Sequence, residues 1–331
     1  MGNKWIAFLD LLGTTQSTSE PSEYKLRISN FTRIIVAYSE KLGKNSSISY
    51  FSDCMYVQSD SISCMVDYLS TIRGVLMSHD IYFSAAVRQG ELSATHSPGT
   101  GTDTCIIRGA SFEGEHIAEL YSYQDKFKGI GIRLDKTAVN ELQADSKWKH
   151  RVVSSFYVPD VSGQCKPFHD IAFVVDALRE NERPLVKNLL MDAMHSNSRS
   201  PRQGRFYTAL IITLMQSYRF MNITWEENTF GVAPALYKII LSFAIDDKKM
   251  NNLYGLEHLS LILLDILYNN ESLGRENKRQ ISRVILDSPI IKKKYGLLGN
   301  IPKELFSTGN KEKIIKDYQS NLSMEILEKF K

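Results

Sequence analysis

Two apolar runs near the start of the chain constrain its fold most strongly. Residues 5–13 read W-I-A-F-L-D-L-L-G, residues 48–58 read I-S-Y-F-S-D-C-M-Y-V-Q, and each run carries one carboxylate where the apolar pattern breaks. Asp10 is soon followed by Gly13, which permits a tight turn. Asp53 stands between two short strand-like segments, as the turn of a hairpin does. The pattern predicts strands that end at two aspartates.

The order of the elements around these runs predicts an α+β fold. The first strand is followed by helical periodicity over residues 23–42, the hairpin, helical periodicity over 61–78 and a strand over 81–92. This βαββαβ order is that of the ferredoxin-like or palm fold. Its antiparallel sheet would place Asp10 beside Asp53, and two carboxylates about 4–5 Å apart repel unless a cation lies between them. Either aspartate alone could equally be a turn residue that accepts backbone hydrogen bonds.

The remainder of the chain predicts a larger first domain and a helical second half. A helix near residues 113–124 and strands over 129–134, 152–158 and 168–175 extend the first domain to residue 177. An all-helical C-terminal domain is predicted for residues 178–331, where the pattern is amphipathic over 185–194, 206–221, 233–243, 256–268, 278–286 and 314–320. Its simplest interpretation is a packing or oligomerisation module.

Composition and charge narrow the classes of function. The 331 residues carry a formal net charge of +3, too small to indicate a nucleic-acid partner, and the run Lys292-Lys293-Lys294 fits a solvated helix end. An RNA-binding sheet is disfavoured because the strands lack an RNP-type aromatic motif. The four cysteines lack C-x-x-C spacing, and no apolar segment reaches the roughly 18 residues of a membrane span. We therefore expect a cytoplasmic protein without membrane insertion.

Four segments together resemble a known family. They are F-L-D-L-L-G at residues 8–13, F-S-D-C-M-Y-V at 51–57, V-R-Q-G at 87–90 and R-G-A-S-F-E-G-E at 108–115. In this order and spacing they resemble the bacterial class III nucleotidyl cyclases, and more closely the stand-alone pyrimidine cyclases of the Pycsar antiphage defence systems. The resemblance covers about the first 175 residues.

The resemblance implies a metal-dependent reaction. Asp10 and Asp53 match the two metal-binding aspartates of the family, and the backbone carbonyl of Leu11 matches a third ligand position. The expected cofactors are two divalent ions, Mn²⁺ or Mg²⁺, which carboxylate and carbonyl oxygens suit. The implied reaction converts a nucleoside triphosphate to a 3′,5′-cyclic monophosphate and pyrophosphate. A homodimer with composite active sites and a separate effector protein that reads the product are implied as well.

Departures from the purine-cyclase pattern point to a pyrimidine substrate. Ser49 stands where purine-reading members carry a lysine, and Ile106 stands near the position of their second base-reading residue. Neither reads adenine or guanine in the usual way, so UTP or CTP is the expected substrate and cUMP or cCMP the product. Tyr50 and Phe51 are the candidate base contacts, and both bases stay open.

The phosphates require donors and cations of their own. Gly13 and Thr14 begin a polar loop before the first helix, whose backbone N–H groups would form a seat for phosphate oxygens. The helix after residue 112 lacks the family's transition-state asparagine and arginine, so Arg88 or Arg108 is expected to supply the cation, from the same subunit or its partner.

Two other classes of function remain open. A polymerase or dinucleotide cyclase could share the palm order, although the hairpin lacks a G-G-D-E-F or G-G-D-D turn. A catalytically silent nucleotide-binding or scaffold protein could use its helical half as the functional part.

Overall fold

The computed structural model describes residues 4–12, 21–94, 104–108, 112–113, 115–159, 165–172, 201–220, 255–269, 274–307 and 309–329. The chain divides into two compact units, Met1–Arg179 and Glu180–Lys331. The first unit holds all the strands of the described residues, and the second is described only through helices and their connections.

The first unit is built on an eight-stranded mixed sheet. Its strand order is β6-β2-β3-β1-β4-β8-β10-β9, and β5 and β7 form a separate two-stranded sheet. The strands are β1 Trp5–Leu11, β2 Ser46–Phe51, β3 Cys54–Ser59, β4 Phe83–Gln89, β5 Ser93–Ala94, β6 Thr104–Arg108, β7 Phe112–Glu113, β8 Gly131–Leu134, β9 Val152–Tyr157 and β10 Lys166–Ile171. The helices are α1 Pro21–Ala37, α2 Ile62–Met77, α3 Glu115–Asp125 and α4 Lys136–Ala144.

The predicted βαββαβ order is confirmed by β1, α1, β2, β3, α2 and β4. The antiparallel pairing of β1 with β3 and of β2 with β3 is also as predicted. The first helix is shorter than expected because α1 ends at Ala37 and a 3₁₀ turn, Ser39–Leu42, leads to Gly43 at φ +74°. The helix α4 was not predicted. It begins where the Asp135 side chain accepts a hydrogen bond from the N–H of Ala138 at 2.7 Å.

The two faces of the sheet are covered by different helices. In β1, Trp5, Ala7, Leu9 and Leu11 point into the larger core, which includes buried side chains of α1, α2 and α4. Ile6 and Phe8 alternate with them and join a smaller cluster with Leu120 of α3. Since side chains alternate along a strand, Asp10 lies on the face of Ile6 and Phe8. We call this the α3 face.

A buried ion pair ties α2 to the far end of the sheet. Arg73 Nη1 donates to Asp170 Oδ1 at 2.8 Å, and both side chains are at most 2% exposed. The same carboxylate oxygen accepts the N–H groups of Ile132 at 3.2 Å and Ile171 at 2.6 Å. Gly131 has φ +156°, and an added Cβ there would stand 2.6 Å from Asp170 Oδ2. Glycine is therefore required at this position, because its φ is unfavourable for other residues and because a side chain would collide with Asp170.

The described part of the second unit contains five helices and two 3₁₀ turns. They are α5 Pro201–Phe220, α6 Leu256–Asn269, α7 Arg275–Leu286, α8 Pro289–Tyr295 and α9 Asn310–Lys329, with 3₁₀ turns at Leu298–Asn300 and Lys303–Leu305. The predicted helices at 185–194 and 233–243 lie outside the described residues. A buried carboxylate, Asp265, joins α6 to α9 because it accepts hydrogen bonds from Ser307 and Asn310. Across the described ranges, the structure contains no helix with the length and apolar character that a membrane crossing requires.

Candidate metal and nucleotide site

The two predicted aspartates meet at one end of the sheet. Asp10 is paired with Cys54 of β3 in the strand register, and Asp53 is the second residue of the two-residue turn between β2 and β3. The N–H of Leu11 donates to the backbone carbonyl of Asp53 at 3.0 Å, which fixes the turn against β1. Carboxylate oxygens of both aspartates and the Cys54 sulfur lie within 4.8 Å of one another. The hairpin thus places three donor atoms together at the end of β1.

The electrostatics of this cluster favour a cation. Burial raises the pKa of the Asp10 carboxyl, and the charge of Asp53 raises it further, whereas a hydrogen bond from Cys54 and the charge of Lys128 lower it. Two carboxylates in a half-buried position carry a net repulsion that a divalent ion would remove. Oxygen donors of this kind suit Mg²⁺ or Mn²⁺.

A second polar group next to Asp10 also fits a bound ligand. Ser84 of β4 is directly opposite Asp10 in the register, so its side chain lies on the same face. It is 1% exposed, and its hydroxyl has no hydrogen-bond partner among the residues that the structure describes. Buried hydroxyls are normally satisfied by protein, water or ligand. The donor set and this hydroxyl together fit the predicted metal site.

The first helix holds the turn and the end of β1 in place. Tyr24 Oη and Ser52 Oγ are 2.8 Å apart, which joins α1 to the hairpin turn. Ser52 has φ +51°, a left-handed conformation that is uncommon for a residue with a side chain. Arg27 Nη2 donates to the carbonyl of Leu12 at 3.0 Å. The guanidinium of Arg27 therefore lies next to Leu12, two residues after Asp10.

An aromatic cluster lies next to the carboxylates on the α3 face. Phe8 and Tyr56 have ring centroids 4.7 Å apart, Phe51 and Tyr56 are 6.3 Å apart, and Phe8 and Tyr121 are 5.8 Å apart. Tyr56 is buried, and burial is the main reason why its pKa rises to about 12. Phe51 is 41% exposed and Tyr121 is 54% exposed. These two rings offer flat, accessible surfaces beside the metal-binding residues.

The two predicted base contacts lie on opposite faces of the sheet. In the β2–β3 pairing, Phe51 is opposite Cys54 and Tyr50 is opposite Met55. Because Cys54 is also opposite Asp10, Phe51 lies on the face of Asp10 and Tyr50 lies on the other one. Tyr50 packs against the larger core with α1 and α2. It therefore cannot form the same surface as Phe51. Ser49, at 3% exposed, is on the α3 face opposite Tyr56.

The arginines predicted to contact phosphate differ in how close they lie to Asp10 and the hairpin turn. Arg88 is opposite Ile6 in the register, and Ser84 is opposite Asp10. Four residues of β4 separate Arg88 from Ser84, which is about 13 Å along the strand. The guanidinium of Arg88 is 2.9 Å from Glu119. Arg108 ends β6 and is paired with Tyr50, close to the hairpin turn, and its side chain lies outside the described residues. Gly13 and Thr14 also lie outside them.

Three residues at the site were not found from the sequence. Lys128, in the segment between α3 and β8, acts on Asp10 through its charge and pairs with Asp125 at 3.0 Å. Tyr121 reaches the aromatic cluster from α3. Cys54 donates to Asp10 Oδ1 at 3.3 Å and lies 3.7 Å from Asp53 Oδ1. Of these three, only Cys54 could have been found from the sequence, because it directly follows Asp53.

No protein-family model and no curated protein matches this chain. Among solved structures, the chain is similar to an adenylate cyclase of Trypanosoma brucei in its monomeric state, with 8% identity, a TM-score of 0.38 and coverage of 53% of this chain and 89% of that one. The guanylate cyclase domain of RhGC from Catenaria anguillulae, in complex with GTP, has 10% identity, a TM-score of 0.37 and coverage of 52% and 98%. A bacterial light-regulated adenylyl cyclase has 12% identity, a TM-score of 0.31 and coverage of 51% of each chain. The neighbours are nucleotide cyclases, and at these scores they carry no conclusion about the reaction of this chain.

Proposed function

We propose that this protein is a metal-dependent pyrimidine nucleotide cyclase that converts UTP or CTP to cUMP or cCMP and pyrophosphate. The observation that supports it most is the meeting of Asp10 and Asp53 at the end of β1, with Cys54 between them. In the proposed role, the product is a cytoplasmic second messenger in antiphage defence and is read by a separate effector protein.

The carboxylates are the proposed ligands of two divalent ions, Mn²⁺ or Mg²⁺, with the carbonyl of Leu11 as a further donor. Such ions would supply Lewis-acid stabilisation of the charge on the reacting oxygens and on the triphosphate. The chain contributes the positions of these donors, because β1 and the β2–β3 turn are both fixed by backbone hydrogen bonds. In phosphoryl transfer such positioning accounts for most of the catalysis.

Cations of the chain are the proposed partners of the triphosphate. Arg27, which donates to the carbonyl of Leu12, and Lys128, whose charge acts on Asp10, lie at this end of the sheet. We assign the further role to Arg108 rather than Arg88, because the guanidinium of Arg88 is already engaged by Glu119. The polar loop that begins with Gly13 and Thr14 is the proposed seat for the phosphate oxygens.

The base is proposed to bind against Phe51, with Tyr121 as a second aromatic contact. Both rings are accessible on the α3 face. The described residues of β2 on this face, Ser47, Ser49 and Phe51, carry no charged group, so the strand offers no long cation to read a purine. A stacked aromatic ring contributes about 1–3 kcal/mol per base in single-stranded nucleic-acid sites. Stacking is open to every base, so the support for the pyrimidine assignment is that these described β2 residues carry no charged base-reading group.

The activity is tested with purified protein, Mn²⁺ and each of the four ribonucleoside triphosphates, with products separated by chromatography and identified by mass. We expect a cyclic monophosphate from UTP or CTP alone, and none from Asp10→Ala or Asp53→Ala. The matched control is Asp60→Ala, an exposed aspartate directly after β3. A dinucleotide or linear product would favour another palm enzyme. No consumption of any triphosphate would favour a silent nucleotide-binding or scaffold protein.

The proposed homodimer has composite active sites, in which one subunit contributes Asp10 and Asp53 and the other contributes an arginine. Mixing the inactive variants Asp53→Ala and Arg108→Ala tests this arrangement. Partial recovery of activity is expected, since some mixed dimers would contain one complete site. If the mixture stays inactive although co-purification through two different affinity tags shows mixed dimers, each site is built within one subunit.

A further inference from the structure

Cys54 is the feature of the site that the proposed cyclase chemistry does not use. Its sulfur lies 3.3 Å from Asp10 Oδ1 and 3.7 Å from Asp53 Oδ1. It is a free cysteine, half-buried, at the position opposite Asp10 in the strand register. A thiol that served only as a hydrogen-bond donor would need one of these carboxylates. The Cys54 sulfur is instead close to both.

The spacing of these atoms matches a shared tetrahedral ion. With metal–sulfur bonds of about 2.3 Å and metal–oxygen bonds of about 2.1 Å, a tetrahedral centre separates sulfur from oxygen by about 3.6 Å. The two observed sulfur–oxygen distances, 3.3 and 3.7 Å, lie on either side of that value. All three donor atoms lie within 4.8 Å of one another. One ion could therefore reach all three with small side-chain adjustments.

The chemistry of the three donors differs from that of a site made of oxygens alone. Carboxylates suit Mg²⁺ and Mn²⁺, whereas a thiolate is a soft ligand that selects thiophilic ions such as Zn²⁺ and Cd²⁺. We propose that Cys54 is a third side-chain ligand, which makes the Asp10–Asp53 site bind Zn²⁺ or Cd²⁺ more tightly than Mg²⁺ and lets such an ion inhibit the protein. On binding, the sulfur–metal bond replaces the S–H bond, and the thiol proton passes to solvent.

This inference rests on the cation site of the proposed function, and not on the cyclase reaction itself. A thiophilic ion held by all three donors would occupy the carboxylate oxygens that the catalytic ions need. Cys54 would then decide which metal the protein tolerates. Cys64 offers a matched comparison, because it is another half-buried free cysteine, in α2 on the opposite side of the sheet.

The test is a titration of the full chain, freed of metal with a chelator, with Cd²⁺. The ultraviolet charge-transfer band of a thiolate–cadmium bond reports the sulfur ligand, and calorimetry reports the affinity for Cd²⁺ and Mn²⁺. We expect one equivalent of Cd²⁺ to produce the band in the wild type and in Cys64→Ser. Cys54→Ser should lose the band and at least about tenfold in Cd²⁺ affinity, with a smaller effect on Mn²⁺.

The serine variant separates the two roles of the thiol. A serine hydroxyl still donates a hydrogen bond to Asp10, so unchanged Cd²⁺ affinity in Cys54→Ser overturns the ligand assignment. Absence of the band in the wild type, with Mn²⁺ still bound, also overturns it and leaves the cyclase proposal intact. The band together with no turnover of any triphosphate supports the thiol ligand and counts against the cyclase. Circular dichroism of each variant establishes that it is folded.

Discussion

Replacing Asp170 by asparagine should destabilise the first unit severely. The Asp170 carboxylate is fully buried, and its partner Arg73 is 2% exposed. Asparagine has nearly the same shape, but it leaves the guanidinium charge buried without a counter-charge. For two unit charges about 4 Å apart in an effective dielectric constant near 20, the lost attraction is about 4 kcal/mol. Removal of one partner from buried ion pairs costs about 3–5 kcal/mol, and we expect a loss in this range.

The measurement is urea unfolding followed by tryptophan fluorescence, because Trp5 and Trp148 are both buried in this unit. The matched control is Asp67→Asn, which removes a partly exposed carboxylate that pairs with Lys147 at 3.4 Å and Lys41 at 3.8 Å. A pair of this exposure contributes at most about 1 kcal/mol. If Asp170→Asn costs no more than Asp67→Asn, the reasoning from the buried charge is wrong.

A double variant separates the charge of Asp170 from its other role. Arg73→Met with Asp170→Leu removes both charges, so the penalty of an unpaired buried charge disappears. The N–H groups of Ile132 and Ile171 would still lose their acceptor. An unsatisfied buried donor costs about 1–3 kcal/mol, and the double variant should therefore recover only part of the lost stability.

Three further predictions concern separate parts of the molecule. Gly131→Ala should cost more than about 1 kcal/mol of unfolding free energy, because the added Cβ would stand 2.6 Å from Asp170 Oδ2; an unchanged urea midpoint would contradict this. Burial raises the pKa of the Asp287 carboxyl, but the hydrogen bond and charge of Lys292 contribute to a net lowering. The ionised carboxylate therefore stabilises the fold at neutral pH, and this contribution is lost as the pH falls below about 4. Asp287→Asn should accordingly destabilise the protein at neutral pH and have no effect in acid. Urea unfolding of both proteins at neutral pH and below about pH 4 measures this difference in unfolding free energy, and an equal effect of the substitution under both conditions would refute it. Phe51→Ala should raise the KM for the pyrimidine triphosphate about tenfold with a smaller effect on kcat, and an unchanged KM would exclude stacking on Phe51.

Patterns within short stretches of sequence were sufficient for the βαββαβ order of the first six elements and for the meeting of the aspartates. Short apolar runs predict β1 and the hairpin strands, and the polar pair between the hairpin strands predicts the turn that carries Asp53. These features are local, since strand periodicity and turn chemistry depend on neighbouring residues. The βαββαβ order then places the end of β1 beside that turn, and the structure brings Asp10 next to Asp53 and Cys54.

Tertiary packing decided which side chains share the surface of that site. Tyr50 and Phe51 are equivalent candidates in the sequence, but the register of β1, β3 and β2 puts Phe51 on the face of Asp10 and Tyr50 on the opposite face, against the larger core. A shift of one residue would exchange them, and the register of strands distant in the chain is set by core packing. Lys128 reaches Asp10, and Arg73 pairs with Asp170 across 97 residues, only through the packing of helices on the sheet. The sequence alone determined where the carboxylates would meet, and the folded sheet decided what surrounds them.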